Sequence, residues 1–102
     1  MIPTIDEHLA ELEEICRAHG VLRLELFGSA ATGQDYTKSS DLDFLVEFQD
    51  LPAINYADAY FGLLEDLEQL FQRPVDLVVD SAITNPYFRQ SVDRARQTLY
   101  AN

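Results

Sequence analysis

The chain has 102 residues, enough for one domain, since domains commonly run to ~100–150 residues and a second core would not fit. A hydrophobic fraction of 47% is that of a globular fold and argues against disorder. Seven Lys plus Arg against 18 Asp plus Glu give a net charge of −11, which excludes a general nucleic-acid binder working through a basic surface and disfavours an anionic membrane surface.

Met1-Ile2-Pro3-Thr4 runs directly into acidic residues, without the basic start and apolar middle of a signal peptide, and no apolar run approaches the ~20 residues that span a bilayer. The lone Cys16 has no internal disulfide partner, which fits a reducing compartment. The expectation is a soluble cytoplasmic domain over residues 1–102.

Thr4 followed by Glu7 has the form of a capping box, and Ile5, Leu9, Leu12, Ile15 and Cys16 recur at helical spacing up to the stop at His19-Gly20. Val21 to Phe27 alternates, with Leu22, Leu24 and Leu26 facing one way and Arg23 and Glu25 the other, as a strand does. Gly28-Ser29 ends it, the small residues up to Gly33 suit a tight turn or short helix, and Gln34 to Ser40 is a polar loop. Asp41 to Phe48 alternates again, with Leu42, Phe44, Val46 and Phe48 opposite Asp41, Asp43, Leu45 and Glu47. After Asp50-Leu51-Pro52, Asn55 can cap a helix carrying Tyr60, Leu63, Leu64, Leu67, Leu70 and Phe71. Pro74 ends it; Val75 to Val79 is a short strand, and Asn85-Pro86 opens a last helix through Phe88, Val92, Ala95 and Leu99. The expected fold class is α/β (α+β), in the order αβ(α)βαβα, with helices on a small sheet.

Residues two apart on a strand share a face, so Asp41 and Asp43 point the same way. Adjacent carboxylates resist double ionisation unless a cation sits between them, and hard oxygen ligands suit Mg²⁺ together with substrate phosphates. Asp76 interrupts an otherwise Val/Leu strand, which is costly without an edge position or a cationic partner. A strand ending in Gly28-Ser29 presents backbone N–H groups and a hydroxyl to an anion. Taken singly, each has a plainer reading: Asp-x-Asp as a strand opening with solvated acids, Asp76 as an edge-strand guard, Gly-Ser as a turn. Together they form a phosphate cradle beside a two-metal site.

Gly28-Ser29, eleven residues, then Asp41-Leu42-Asp43, with Asp76 on a later strand, resembles the signature of the polymerase-β-type nucleotidyltransferases. Phe27 to Gly33 and Ser39 to Val46 resemble the minimal members of that superfamily, the MntA-type antitoxins that pair with HEPN-domain toxins. The resemblance implies the polymerase-β-type nucleotidyltransferase fold, a small mixed sheet flanked by helices, and transfer of AMP from ATP to a tyrosine of the partner RNase. It also implies Asp41, Asp43 and Asp76 as catalytic ligands of two Mg²⁺ ions, and Gly28 and Ser29 at the nucleotide. The family's usual turn has an arginine where this chain has Thr32, and its spacing to the Asp pair is commonly one residue shorter; Lys38 lies in the same loop. Two alternatives stand beside the enzyme: a non-catalytic antitoxin of the same fold, and nucleotidyl transfer to a small molecule. No direct contact with nucleic acid or membrane is expected. His8 and His19 read as helix-surface residues, Cys16 as core, and Arg89, Arg94 and Arg96 as either partner-binding or internally paired.

Overall fold

β1 (Val21–Phe27) and β2 (Leu42–Phe48) pair antiparallel and form the centre of a four-stranded sheet in the order β3-β2-β1-β4. The computed structural model describes residues 3–28, 31 and 41–102; Ser29, Thr32 and Lys38 lie outside them. β3 (Val75–Val79) runs parallel to β2, and β4 (Gln97–Ala101) antiparallel to β1. The sheet is therefore mixed. The helices are α1 (Pro3–Asp6), α2 (Leu9–Ala18), α3 (Ala53–Phe71) and α4 (Pro86–Asp93), with a 3-10 turn at Asp80–Ala82. Among the described residues no helix is long and apolar enough to cross a membrane.

The alternation read in β2 divides the molecule into two layers. Leu42, Phe44 and Val46 are fully buried in the main core with Leu12 and Cys16 of α2 and Leu63 and Leu67 of α3. Leu45, on the opposite side, joins Phe27 of β1 and Val92 of α4 in a second, smaller core closed by Val78 and Ile83. Burial pushes the Cys16 thiol up to about 12, so it is an inert core group.

Several expectations are corrected. The leading helix is two pieces: Thr4 lies inside α1, and its carbonyl accepts from His8 Nδ1 at 2.7 Å instead of Thr4 and Glu7 forming a capping box. α3 begins at Ala53 with Pro52 in the cap position, which moves Asn55 from cap to first turn. Leu22 does not face the core with Leu24 and Leu26; it is 42% exposed, while Val21 is buried. The register with β2 slips between Val21 and Arg23, and a bulge of this kind breaks the period-2 alternation.

The largest correction concerns the C-terminus. The last helix stops at Asp93, and Gln97–Ala101 is a strand. The spacing of Val92, Ala95 and Leu99 fits a helix, and no Gly or Pro marks the break. The free edge of β1, however, carries backbone groups that need partners, and Thr98-Leu99-Tyr100 has the β-branched and aromatic character of a strand. Leu24 and Tyr100 stand opposite each other, and Asn102 N–H donates to Leu22 C=O at 2.9 Å.

His19, expected on the surface, is partly covered. Its Nε2 lies 2.6 Å from Asp66 Oδ2, and its ring rests on α3 where a side chain at Gly62 would collide with it. That contact accounts for a glycine in mid-helix, a position where it weakens helix formation by about 1 kcal/mol.

Candidate active site

The parallel pairing of β2 and β3 places Asp43 directly beside Asp76, with Leu45 beside Val78 further along the same face. On the other flank the antiparallel register sets Phe27 opposite Asp43. Asp41 precedes β2 and is exposed, Asp76 is exposed on the edge strand, and Asp43 is half-buried between them. Three of the sequence-predicted residues thus come to one end of the sheet.

Gly28 belongs to the same end by direct contact. Its φ is +73°, and a Cβ built there would collide with the Asp43 carboxylate at Oδ2. Glycine here both completes a left-handed turn and lets the carboxylate lie against the backbone. The N–H of buried Ala31 donates to Gly28 C=O at 3.1 Å.

The Asp43 carboxyl is pushed up from 3.8 to about 6, first by burial and then by the charges of Asp76 and Asp41. An acid held this way carries uncompensated repulsion. Among the described residues no three His, Cys, Asp or Glu converge closely enough to enclose a metal by themselves. The donor set nonetheless fits a hard divalent cation of the Mg²⁺ kind, which takes one or two protein carboxylates and completes its shell with phosphate oxygens and water.

Tyr60 of α3 lies against this end of β3. Its hydroxyl donates to Leu77 C=O at 2.6 Å, covering an edge-strand carbonyl, and its ionisation is pushed up by burial, then by Asp76 and Tyr56. Two clefts among the described residues lie elsewhere; one is bounded by Arg17, His19, Leu51 and Asp58, the other by Leu9, Glu13 and Tyr100. Their linings bring together none of the groups just described.

The same sheet face carries a second cluster that the sequence did not reveal. Glu25, read on the strand face opposite Leu24 and Leu26, is only 5% exposed. Arg96 grips it with two hydrogen bonds, Nη2 to Oε1 at 2.6 Å and Nε to Oε2 at 3.0 Å, and Arg23 Nε adds a contact at 2.8 Å. Asp80, after β3, takes Arg89 Nη1 at 2.5 Å and Arg23 Nη2 at 3.1 Å. Arg89 and Arg96 are therefore paired internally, while Arg94 is exposed. The signal available was the excess of arginine around α4, but Arg23 and Asp80 are 57 residues apart, and Glu25 and Arg96 71.

A comparison with protein families matches residues 9–99 to the family described as Nucleotidyltransferase domain. A chain of Methanocaldococcus jannaschii provisionally named a protein adenylyltransferase is 36% identical over 93 residues, covering 83% of this chain and 91% of the relative. Protein adenylyltransferase MntA of Thermococcus cleftensis is 35% identical over 83 residues, covering 74% and 80%. A solved structure provisionally described as a minimal nucleotidyltransferase superposes with a TM-score of 0.74 at 30% identity, covering 92% of this chain and 91% of that one. A similar fold, with a TM-score of 0.64 at 21% identity, covering 96% of this chain and 73% of the other, occurs in the complex of a tri-AMPylated Shewanella oneidensis HEPN toxin with an MNT antitoxin.

Proposed function

Because the chain belongs to the nucleotidyltransferase domain family, we propose that it transfers AMP from ATP to a tyrosine hydroxyl of a HEPN-domain RNase toxin and so acts as that toxin's antitoxin. The observation that carries this reading is the in-register pair Asp43–Asp76, with Asp41 beside it and Gly28 giving way to the Asp43 carboxylate. The names of its relatives support the reaction class, and the Shewanella complex suggests the kind of partner.

The roles follow from position. Asp41, Asp43 and Asp76 are the residues that would hold two Mg²⁺ ions, and Gly28 and Ser29 would offer backbone N–H groups and a hydroxyl to the phosphates. Such ions, when bound, neutralise the triphosphate and the charge that develops at the α-phosphorus, and acidify an acceptor hydroxyl. In the transfer the acceptor oxygen attacks the α-phosphorus, the bond from that phosphorus to the bridging oxygen breaks, and pyrophosphate leaves with its electron pair. Asp76, exposed at the sheet edge, would take the hydroxyl proton. Asp43, held between two like charges, is the group whose repulsion a cation relieves most. Catalysis of this kind is positioning and charge neutralisation more than covalent chemistry.

A net charge of −11 complements a basic RNA-cleaving protein and steers its approach. Thr32, where the family's usual turn has an arginine, favours one second reading, a non-catalytic antitoxin that neutralises by contact.

Intact-protein mass spectrometry of the HEPN toxin after incubation with this protein, ATP and Mg²⁺ separates the two. Whole AMP additions that vanish with an Asp41→Ala/Asp43→Ala double variant support the transferase. A tightly bound but unmodified toxin supports the binder instead.

A further inference from the structure

Phe88 of α4 remains unexplained by either core. It is 39% exposed, its neighbour Tyr87 is 81% exposed, and yet the first turn they occupy is firmly held, with Asn85 Oδ1 accepting from both Tyr87 N–H and Phe88 N–H at 2.9 and 3.2 Å.

Its position relates it to the carboxylates. The Phe88 ring meets Phe27 at 6.1 Å between centroids and 78° between planes. Phe27 stands opposite Asp43 in the β1–β2 register and is followed directly by Gly28. Phe27, Asp43 and Asp76 lie on one face of the sheet, the face on which α4 packs through Val92. Phe88 thus contacts the residue that stands opposite Asp43 in the β1–β2 register. An edge-to-face contact with Phe27 occupies at most one face of the Phe88 ring, and a planar heterocycle can use the other.

We infer that Phe88 is the platform on which the base of the bound nucleotide stacks, with its phosphates at Gly28 and the carboxylates. The inference rests on the nucleotidyl-transfer reading and adds to it the place and manner of base recognition. Stacking needs no charge, so it suits a chain with few cations, and it is tolerant of base identity because every base has a π-face. A site of this kind holds ATP and GTP similarly and gains affinity over inorganic triphosphate from the ring alone.

The experiment is calorimetric titration of the full chain with Mg²⁺ and, separately, ATP, GTP and inorganic tripolyphosphate. Phe88→Leu keeps an apolar contact on Phe27 but removes the π-face; Phe88→Tyr keeps both. The expected result is that Phe88→Leu weakens ATP and GTP by roughly 5–20-fold, leaves tripolyphosphate unchanged, and is reversed by Phe88→Tyr. Unchanged ATP affinity in Phe88→Leu would overturn the inference. So would parallel weakening of ATP and tripolyphosphate, which would make Phe88 a packing residue for Phe27. If the wild type binds neither ATP nor tripolyphosphate, the nucleotidyl-transfer reading itself fails and takes the inference with it.

Discussion

One face of the sheet carries two clusters of carboxylates, and they are treated in opposite ways. At one end Glu25 and Asp80 are enclosed by Arg23, Arg89 and Arg96. The Arg96 hydrogen bond holds Glu25 below the usual carboxylate range. Asp80 is pushed up by burial but ends below its ordinary value through the Arg89 hydrogen bond and the surrounding guanidinium charges. At the other end Asp43 meets burial and two like charges and rises to about 6. Arginines thus enclose the first cluster, while like charges and burial dominate at Asp43. The neutralised cluster ties β1, the end of β3, α4 and the approach to β4 into one body, while the other keeps its repulsion, which a bound cation of the proposed kind would relieve.

The comparison breaks most sharply at Asp43. Replacing it with Asn keeps shape and hydrogen-bonding size but removes the charge that a divalent ion needs. The expected loss in the rate of AMP incorporation is on the order of 10³-fold, as for removal of a principal transition-state group, with the fold retained by circular dichroism. A rate within tenfold of wild type would mean that Asp43 is structural.

Arg96→Ala acts on the other cluster and should do the reverse. It leaves Glu25 buried with only Arg23 beside it, and removing one partner of a buried pair costs about 3 kcal/mol. Urea denaturation should show a midpoint lowered accordingly, while single-turnover transfer per folded molecule stays within about twofold. Loss of transfer without loss of stability would mean the arginines reach the nucleotide, and the division drawn between the two ends would fall.

How much of this was legible beforehand follows from the range of each signal. Asp41 and Asp43 were legible because a period of two is a local property, and Asp76 because a charge among Val and Leu is anomalous within five residues. Their meeting required a parallel register between β2 and β3, which the crossover through α3 implies but does not fix. The Glu25–Arg96 pair joins segments 71 residues apart and left no trace in spacing, whereas the short spacing from Gly28-Ser29 to Asp41-Leu42-Asp43 already associated Gly28 with the Asp pair. The end of α4 at Asp93 was hidden for a different reason: helix and strand preferences compete there without a breaker, and the open edge of β1 decided the outcome. Gly62 was visible as an oddity, but only the His19 ring explains it.

The smallest expected effect is the most discriminating, because the two clusters have opposite signs of pH dependence. A carboxyl whose folded pKa is lowered, such as Glu25 or Asp80, contributes stability above its unfolded value and loses it as pH falls through the folded one. Asp43 is raised from 3.8 to about 6, so the native state prefers its protonated form, and that preference is lost as pH climbs through this window. Asp43→Asn has no proton to lose. Its stability relative to wild type should therefore be flat below about pH 4, rise between pH 4 and 6, and level off at about 1 kcal/mol once solvent screening at a half-exposed carboxylate is allowed for. Thermal melts without divalent ions at pH 4, 5, 6 and 7.5 resolve that difference. Adding Mg²⁺ at pH 7.5 should then raise the wild-type midpoint and leave Asp43→Asn almost unmoved, since only a ligand that binds the folded state stabilises it. A gap that is constant from pH 4 to 7.5 would trace the stabilisation to packing rather than charge, and the acid end of the sheet would lose its claim to being electrostatically loaded.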